Sequence, residues 1–492
     1  MKLSDLDDME WFARLNRRRL AGLDDQDMNW AYYDGEQPMH YVARIIAEQQ
    51  DRFPALKVNW PGLVIDSLEE RLDVEGFRLG DSDSADDDLV GTWQANDLDE
   101  GAPEAHTCAL VTRHAFLMAG PGDGRYPTIT VEYPDQMAVE LDAVTRRVVA
   151  ALKVWADDPD SPQEDRAVLY LPNRMVEFEF GKPVHAESTA DWTAALEHQQ
   201  TSPLVPVVPM INRPPRRPRR YQHGRMVQTL HGYGRSEIHD IRSLADAVNQ
   251  TATNMLAGIE HHALPRRWAV GANEKDFVDE NGKPLPAWKI ATGALWAATA
   301  GEDGAEVKLG QFTGADMTGF HNSIRQLAQL AAGLYGLPPH YLGLFSDNPA
   351  SADAIRSAEI RLIKRAERRQ TTFGGAWERV MRIALAIMGR DPASADRLET
   401  VWRDPATPTQ AQRADAAVKL HAQGIIDDEL AQEMVGLTVA QRRALARRRG
   451  TTPATIPTPT SVINRVRNVD VTGSAGNGIN GSVNGAATTL GT

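Results

Sequence analysis

The chain has 492 residues, 42% of them apolar and 24% charged, which allows two to four domains with sizeable cores. No run approaches the ~18 consecutive apolar residues of a membrane span, and Cys108, the only cysteine, excludes an internal disulfide and a thiolate-rich zinc site. The formal charge of −14 disfavours a tight, general clamp on nucleic acid, and copies gathered around an axis would multiply that charge.

The N-terminus, MKLSDLDDMEWFARLNRRRL, is charged from the start, lacks the apolar segment of a signal peptide and reads as a helix of an intracellular protein. Residues 1 to about 80 are expected to be mainly helical, because MHYVARIIAEQQDRF and WPGLVIDSLEERL carry apolar residues at three- and four-residue steps. GDSDSADDD (80–88) reads as a solvated acidic loop, since Ala85 stands where calcium would need a third oxygen ligand and no turn glycine follows. From about 105 to 185 the pattern becomes short apolar or alternating runs, CALVTRHAFLMAG, TITVEY, RRVVAALKVWA, AVLYLP and RMVEFEF, which predict a meandering antiparallel sheet. GPGDGR lacks the lysine of a phosphate loop and is a turn. In NRPPRRPRRYQHGR (212–225) the prolines forbid a regular helix. Arg213, Arg216, Arg217, Arg219 and Arg220 there offer contacts to phosphate or to an acidic neighbouring subunit, with a solvated arm as the plainer alternative.

Ser236 caps a helix that Pro265 ends, roughly 40 Å long. Its narrow, alanine-rich stripe, which includes Ile241, Val248 and Met255, suits packing against one neighbour rather than burial in a core. Residues 266–314 return to strand-like pieces. A second helix, ADMTGFHNSIRQLAQLAAGLYG, then presents Ile324 and Leu327 on one face, so two helices flank an inserted small domain. Pro338 and Pro339 stop it, and either Asn348 or Ser351 caps a third helix running to about Met388, with Gly374–Gly375 permitting a bend. LGLFSDNPA between them is a short loop held at both ends. After Pro392 small antiparallel helices are expected, and from Thr451 the Thr, Pro, Gly, Asn and Ser content predicts a disordered tail.

This order of elements, above all GLYGLPPHYLGLFSDNPASADAIRSAEIRLIKRAERRQTTFGGAWERVMRIAL, resembles the portal proteins of tailed double-stranded DNA bacteriophages, of the type found in long-tailed phages of Gram-positive and actinobacterial hosts. RLDVEGFRL, QANDLDE and GRSEIHDIRSLADAVNQTATNML support the resemblance. It implies an α+β portal fold: a wing over 1–235, stem helices at 236–264 and 316–335, a small α/β clip at 265–315, a tunnel loop at 336–350, a long wing helix at 351–390, a helical crown at 391–450 and a tail at 451–492. It also implies a closed dodecameric ring at one capsid vertex, assembled in the host cytoplasm. The implied partners are double-stranded DNA in the channel, terminase, the major capsid protein, a head-completion or adaptor protein and a scaffolding protein. Ile241, Val248, Met255, Ile324 and Leu327 would pack the stem. Leu344, Phe345, Ser346, Asp347 and Asn348 would face DNA, and Arg447, Arg448 and Arg449 would lie near the packaged genome. The loop carries no lysine or arginine, and Asp347 would repel phosphate, so DNA could slide past it.

An enzyme of the packaging machinery is the contrasting reading. The chain has no Gly-x-x-x-x-Gly-Lys-Ser/Thr loop, and Asp135, Glu140 and Asp142 lack the lysine of the common nuclease signature. A minor capsid or adaptor protein would not need a domain inserted between two stem helices. No cofactor, metal, membrane contact or catalytic activity is expected.

Overall fold

The computed structural model describes residues 5–39, 56–80, 86–142, 144–156, 158, 166–180, 192–199, 204–214, 220–222, 225–227, 234–263, 267–270, 283, 308–311, 317–344, 351–391, 395–406, 410–437 and 439–451. The helix expected in MHYVARIIAEQQDRF, most of the inserted domain and the C-terminal tail fall outside them.

Local chemistry sets the first elements. Helix α1 (Asp8–Leu20) opens on a capping box, in which the Glu10 amide donates to Asp7 at 2.8 Å and the Asp7 amide donates back to Glu10 at 3.0 Å. Helix α2 (Leu23–Asp34) ends on left-handed Gly35, and α3 (Trp60–Glu69) is capped by Asn59 with Pro61 in its first turn. Strand β1 (Val74–Leu79) interrupts the helical region. The acidic run after it is in part a helix start: Asp86 accepts from the amides of Asp88 and Leu89 and caps α4 (Asp87–Ala95).

Helix α5 (Leu98–Thr112) corrects the strand expected from Cys108, because strand β2 (His114–Gly120) begins only after Arg113. Cys108, Ala109, Leu110 and Val111 are all fully buried. A short run that is apolar on every side fits a buried helix end as well as a strand, and period does not separate the two. The expected meander follows: β3 (Thr128–Glu132), β4 (Met137–Leu141), β5 (Val148–Trp155), β6 (Arg166–Leu171), β7 (Arg174–Phe180), β8 (Trp192–Gln199) and β9 (Val207–Ile211). Strands β4 to β8 form a five-stranded antiparallel sheet in chain order, and β3-β2-β9 form a three-stranded one. Helix α1 covers one face of the larger sheet, with the Phe12 ring 4.9 Å from Phe178 and 5.2 Å from Trp192. Phe116, Met137, Val139 and Val207 fill the other face.

Hairpin strands β10 (Arg220–Gln222) and β11 (Arg225–Val227) precede the long elements. These are α6 (Ile238–Ala263), β12 (Arg267–Val270), β13 (Lys308–Gln311), α7 (Thr318–Tyr335) and α8 (Ala352–Ile387). Strand β14 (Leu398–Trp402) then pairs antiparallel with β1, Phe77 opposite Thr400 and Leu79 opposite Leu398. The uniformly helical segment expected over 391–450 is therefore corrected at its start. LETVW alternates, and its inward positions Leu398 and Thr400 are buried.

The main core gathers α3, α5, α8 and the adjoining ends of α6 and α7. At its centre Trp377 donates from Nε1 to Nε2 of His106 at 3.0 Å, and the His106 ring stacks on Phe373. Burial lowers the His106 pKa to about 3, so the imidazole is a neutral acceptor.

The chain divides into two compact units, Met1–Thr409 and Gln410–Thr492. Described in the second are α9 (Gln410–Ala422), α10 (Asp428–Met434) and α11 (Val439–Thr451). No described helix is long and apolar enough to cross a membrane.

Phe12→Ala removes the ring that fastens α1 to the sheet. Denaturant titration should show a loss of about 3–5 kcal/mol, with faster amide exchange in α1 than elsewhere in the sheet it covers.

Candidate functional site

The long elements converge on one buried carboxylate. Ser236 caps α6 as expected, its Oγ accepting from the Ile238 amide at 3.0 Å. The next residue, Glu237, is 1% exposed and receives Arg365 Nη2 at 2.7 Å and Arg369 Nη2 at 2.5 Å, with Arg213 Nη1 at 3.6 Å. Burial alone would raise the Glu237 carboxyl, but Arg365, Arg369 and Arg213 outweigh it and hold the group below the usual carboxylate range. Tyr335, the last residue of α7, donates its hydroxyl to the Glu237 carbonyl and accepts Arg365 at its own carbonyl. Arg361 likewise donates to the carbonyls of Gly333 and Leu334, at 2.6 and 3.4 Å. Arginines of α8 thus meet the negative end of α7, where its last carbonyls lack helical partners.

The stretch after α7 is braced from several sides. Gly336 takes the left-handed conformation (φ 68°), and a Cβ there would lie 2.5 Å from Arg361 Cγ, so neither backbone nor space admits another residue without a shift. Pro339–Leu342 form one 3₁₀ turn. The Tyr341 hydroxyl accepts from Arg71 at 3.1 Å, and Arg71 also pairs with Glu359 at 3.7 Å. Ser351, not Asn348, is the cap of α8, accepting from the Ala354 amide at 3.2 Å. Leu344 is half-buried against the main core, whereas Phe345, Ser346, Asp347 and Asn348 lie outside the described residues.

Helices α6 and α7 pack together, closely enough that a Cβ on Gly258 would sit 3.3 Å from Met317. Strands β12 and β13 pair beyond their far ends, Arg267 opposite Gln311. The five stem residues named from sequence divide unequally. Ile241 and Val248 are fully buried in the main core, Ile324 and Leu327 are half-buried against it, and Met255 is half-buried further along. The first half of α6 therefore does disappear into a core, contrary to its narrow stripe, because α3 and α7 both cover it. Leu256 and Ile259 on the second half of α6, and Leu330 (60%) and Leu334 (45%) on α7, face outward.

The proposed cations fare differently. Arg213 is turned inward to Asp240 at 3.0 Å and towards Glu237, so it is held by its own subunit. Arg216, Arg217 and Arg219 lie outside the described residues, as do the side chains of Arg220 and Arg449; Arg447 and Arg448 are exposed on α11. The acidic trio does not form a metal centre. Glu140 is held by Arg14 and Arg18, both at 2.7 Å, and Asp142 caps its own turn through the amides of Val144 and Thr145. Among the described residues no group of three or more His, Cys, Asp or Glu side chains is placed to hold a metal ion.

Sequence reasoning missed the Glu237 hub. Its signal was present as the four-residue spacing of Arg361, Arg365 and Arg369, which puts three cations on one helical face.

Residues 15–440 match the family described as "Phage portal protein, SPP1 Gp6-like". The portal protein of Mycobacterium phage L5 is 37% identical over 434 residues, 85% of this chain and 84% of the relative. That of Mycobacterium phage D29 is 36% identical over 447 residues, covering 87% and 86%. Among solved structures, the neck of a native GTA particle computed with C12 symmetry is 15% identical, covering 81% of this chain and 95% of that one at a TM-score of 0.44. The virion of a native gene transfer agent particle covers 86% and 99% at 14% identity and a TM-score of 0.40. The class defined by the family and the two mycobacterial relatives is that of phage portal proteins. Within it, the chain belongs to the SPP1 Gp6-like family.

Glu237→Gln leaves Arg365 and Arg369 without their buried counter-charge, and thermal or denaturant unfolding should show a loss of about 3–5 kcal/mol. Because folding depresses the Glu237 pKa, its contribution is complete above the unfolded carboxylate range and fades as pH falls through the folded value. The variant's stability should therefore fall less steeply with acid than the parent's.

Proposed function

We propose that copies of this portal protein close into a ring, expected to be a dodecamer, that conducts double-stranded DNA at one capsid vertex during packaging and ejection. Family membership supports the reading. The observation that carries it is the outward apolar set on the helix pair, Leu256, Ile259, Leu330 and Leu334, which a single copy leaves in water. A neighbour offering a different face would cover them, and such heterologous contacts close into rings.

In this assignment α6 and α7 form the stem, the segment between them the clip, and 336–350 the tunnel loop. Residues 1–235 with α8 form the wing, and the helices after 410 the crown. The clip would dock terminase and later a head-completion or adaptor protein, with the major capsid and scaffolding proteins contacting the ring during assembly in the host cytoplasm. Leu344 to Asn348 would constrict the channel without gripping phosphate. Phe345 is assigned to anchoring in the neighbouring subunit. The role is conduit and docking platform, with no catalytic step.

Electron microscopy and native mass of the purified chain should show rings with a central hole. A compact closed dimer that persists with scaffold and capsid protein present would overturn the channel mechanism. Leu330→Asp with Leu334→Asp should leave the fold intact and abolish rings. In a ring-competent background, Asp347→Lys should slow DNA packaging by creating a phosphate contact where none exists.

A further inference from the structure

Arg113 stands where a helix usually ends on glycine. It closes α5 in a left-handed conformation, φ 106°, that side chains other than glycine rarely adopt. Its side chain is only 8% exposed, and a buried cation is destabilising unless it is paired and hydrogen-bonded. The pairing here is incomplete. Nε donates to the Thr112 carbonyl at 2.9 Å. The carboxylate facing Nη1, Asp25, is 3.8 Å away, half-exposed, and already accepts from Arg242 at 3.0 Å.

A cavity of about 20 Å³ lies beside this guanidinium, between the α1–α2 turn and the starts of β2 and β4. That volume takes one particle about the size of a water molecule. Arg18, Arg19, Gln26 and His114 line it with Arg113, Phe116 lies on its apolar side, and no carboxylate is among the described residues that line it. Arg18 donates to Glu140 at 2.7 Å, but Arg14 does so too, so two guanidinium groups share one carboxylate. Arg19 donates to Asn16 at 3.0 Å and to the Asp135 carbonyl at 2.5 Å. Burial and the Arg113 charge push the His114 pKa down to about 3, so its imidazole is neutral. Gly22 keeps the space open, since a Cβ there would lie 2.9 Å from Gln26 Nε2 and 3.4 Å from Arg113 Nη2.

We propose that this cavity is a binding site for one small inorganic anion of the size of chloride, held by Arg113 with Arg18, Arg19 and Gln26 around it. The anion supplies the counter-charge that Asp25 supplies only in part, and it fastens the α1–α2 turn to the starts of β2 and β4. Glycine at position 113 would close α5 without strain but would bring no cation to the cavity. The site does not depend on the ring assembly proposed above.

Urea unfolding of the full-length protein in sodium chloride and in sodium gluconate, at one ionic strength, tests it, gluconate being too large for the cavity. Once the site is filled, the unfolding constant should fall about tenfold for each tenfold rise in chloride. Gly22→Ala should fold, because a φ of −104° suits alanine, and should lose that dependence as its methyl enters the cavity. Arg113→Gly should fold as well, its backbone relieved, and should also lose the dependence. Bromide in crystals of the parent should give an anomalous peak beside Arg113. Equal stability of the parent in the two salts would overturn the proposal. Variants that keep the parent's chloride dependence would overturn it by putting the anion elsewhere, and a cavity without a bromide peak would overturn it by leaving water as the occupant.

Discussion

A carboxylate buried beside three guanidinium groups is the constraint on which the long elements depend. Glu237 sits where α6 begins, Tyr335 where α7 ends, and Arg365 and Arg369 one turn apart on α8. Taking those charges out of water costs several kcal/mol per ion, so the arrangement persists only while every partner is in place. That makes it a specifier of geometry more than a source of net stability. Helices α6 and α8 cannot slide past each other without stranding that charge, and Tyr335 ties α7 to both through the Glu237 carbonyl and Arg365.

The same residues decide where the chain goes next. Arg361 and Arg365 hold the last carbonyls of α7, Gly336 turns beneath Arg361, and Tyr341 is tied through Arg71 to Glu359. The connection from α7 to α8 thus leaves a rigid platform and returns to a capped helix start at Ser351. Both ends of that connection are therefore fixed by contacts within the first unit.

Punctuation by proline and glycine made much of this legible in the sequence. The ends of α6 and α7 and the antiparallel meander follow from local rules about donors, ring clashes and alternation, while the same rules left Asn348 and Ser351 both open as the cap of α8. What escaped was set by tertiary context. Cys108 to Val111 are apolar throughout, so burial rather than period made them a helix end. LETVW pairs with β1 some 320 residues earlier in the chain, a partner that no local window contains. An acid at a helix start such as Glu237 is explained by the helix's positive end alone, whereas its burial depends on α8 arriving more than a hundred residues later.

The bookkeeping of arginines completes the physical picture. A net charge of −14 treats every cation as if it faced solvent. Arg71, Arg113 and Arg369 are in fact buried, and Arg19, Arg361 and Arg365 donate to backbone carbonyls. These guanidinium groups are engaged in the fold, the buried Arg71, Arg113 and Arg369 being shielded from solvent as well. Other cations are exposed in both units, among them Arg125, Arg147 and Arg325 in the first and Arg447 and Arg448 in the second. The first unit therefore uses much of its positive charge to join elements, while carboxylates such as Asp24, Asp99 and Glu100 remain on surface turns of its helices. The formal charge therefore misstates what a polyanion would meet, because several of the arginines it counts are buried or committed to carbonyls inside the fold.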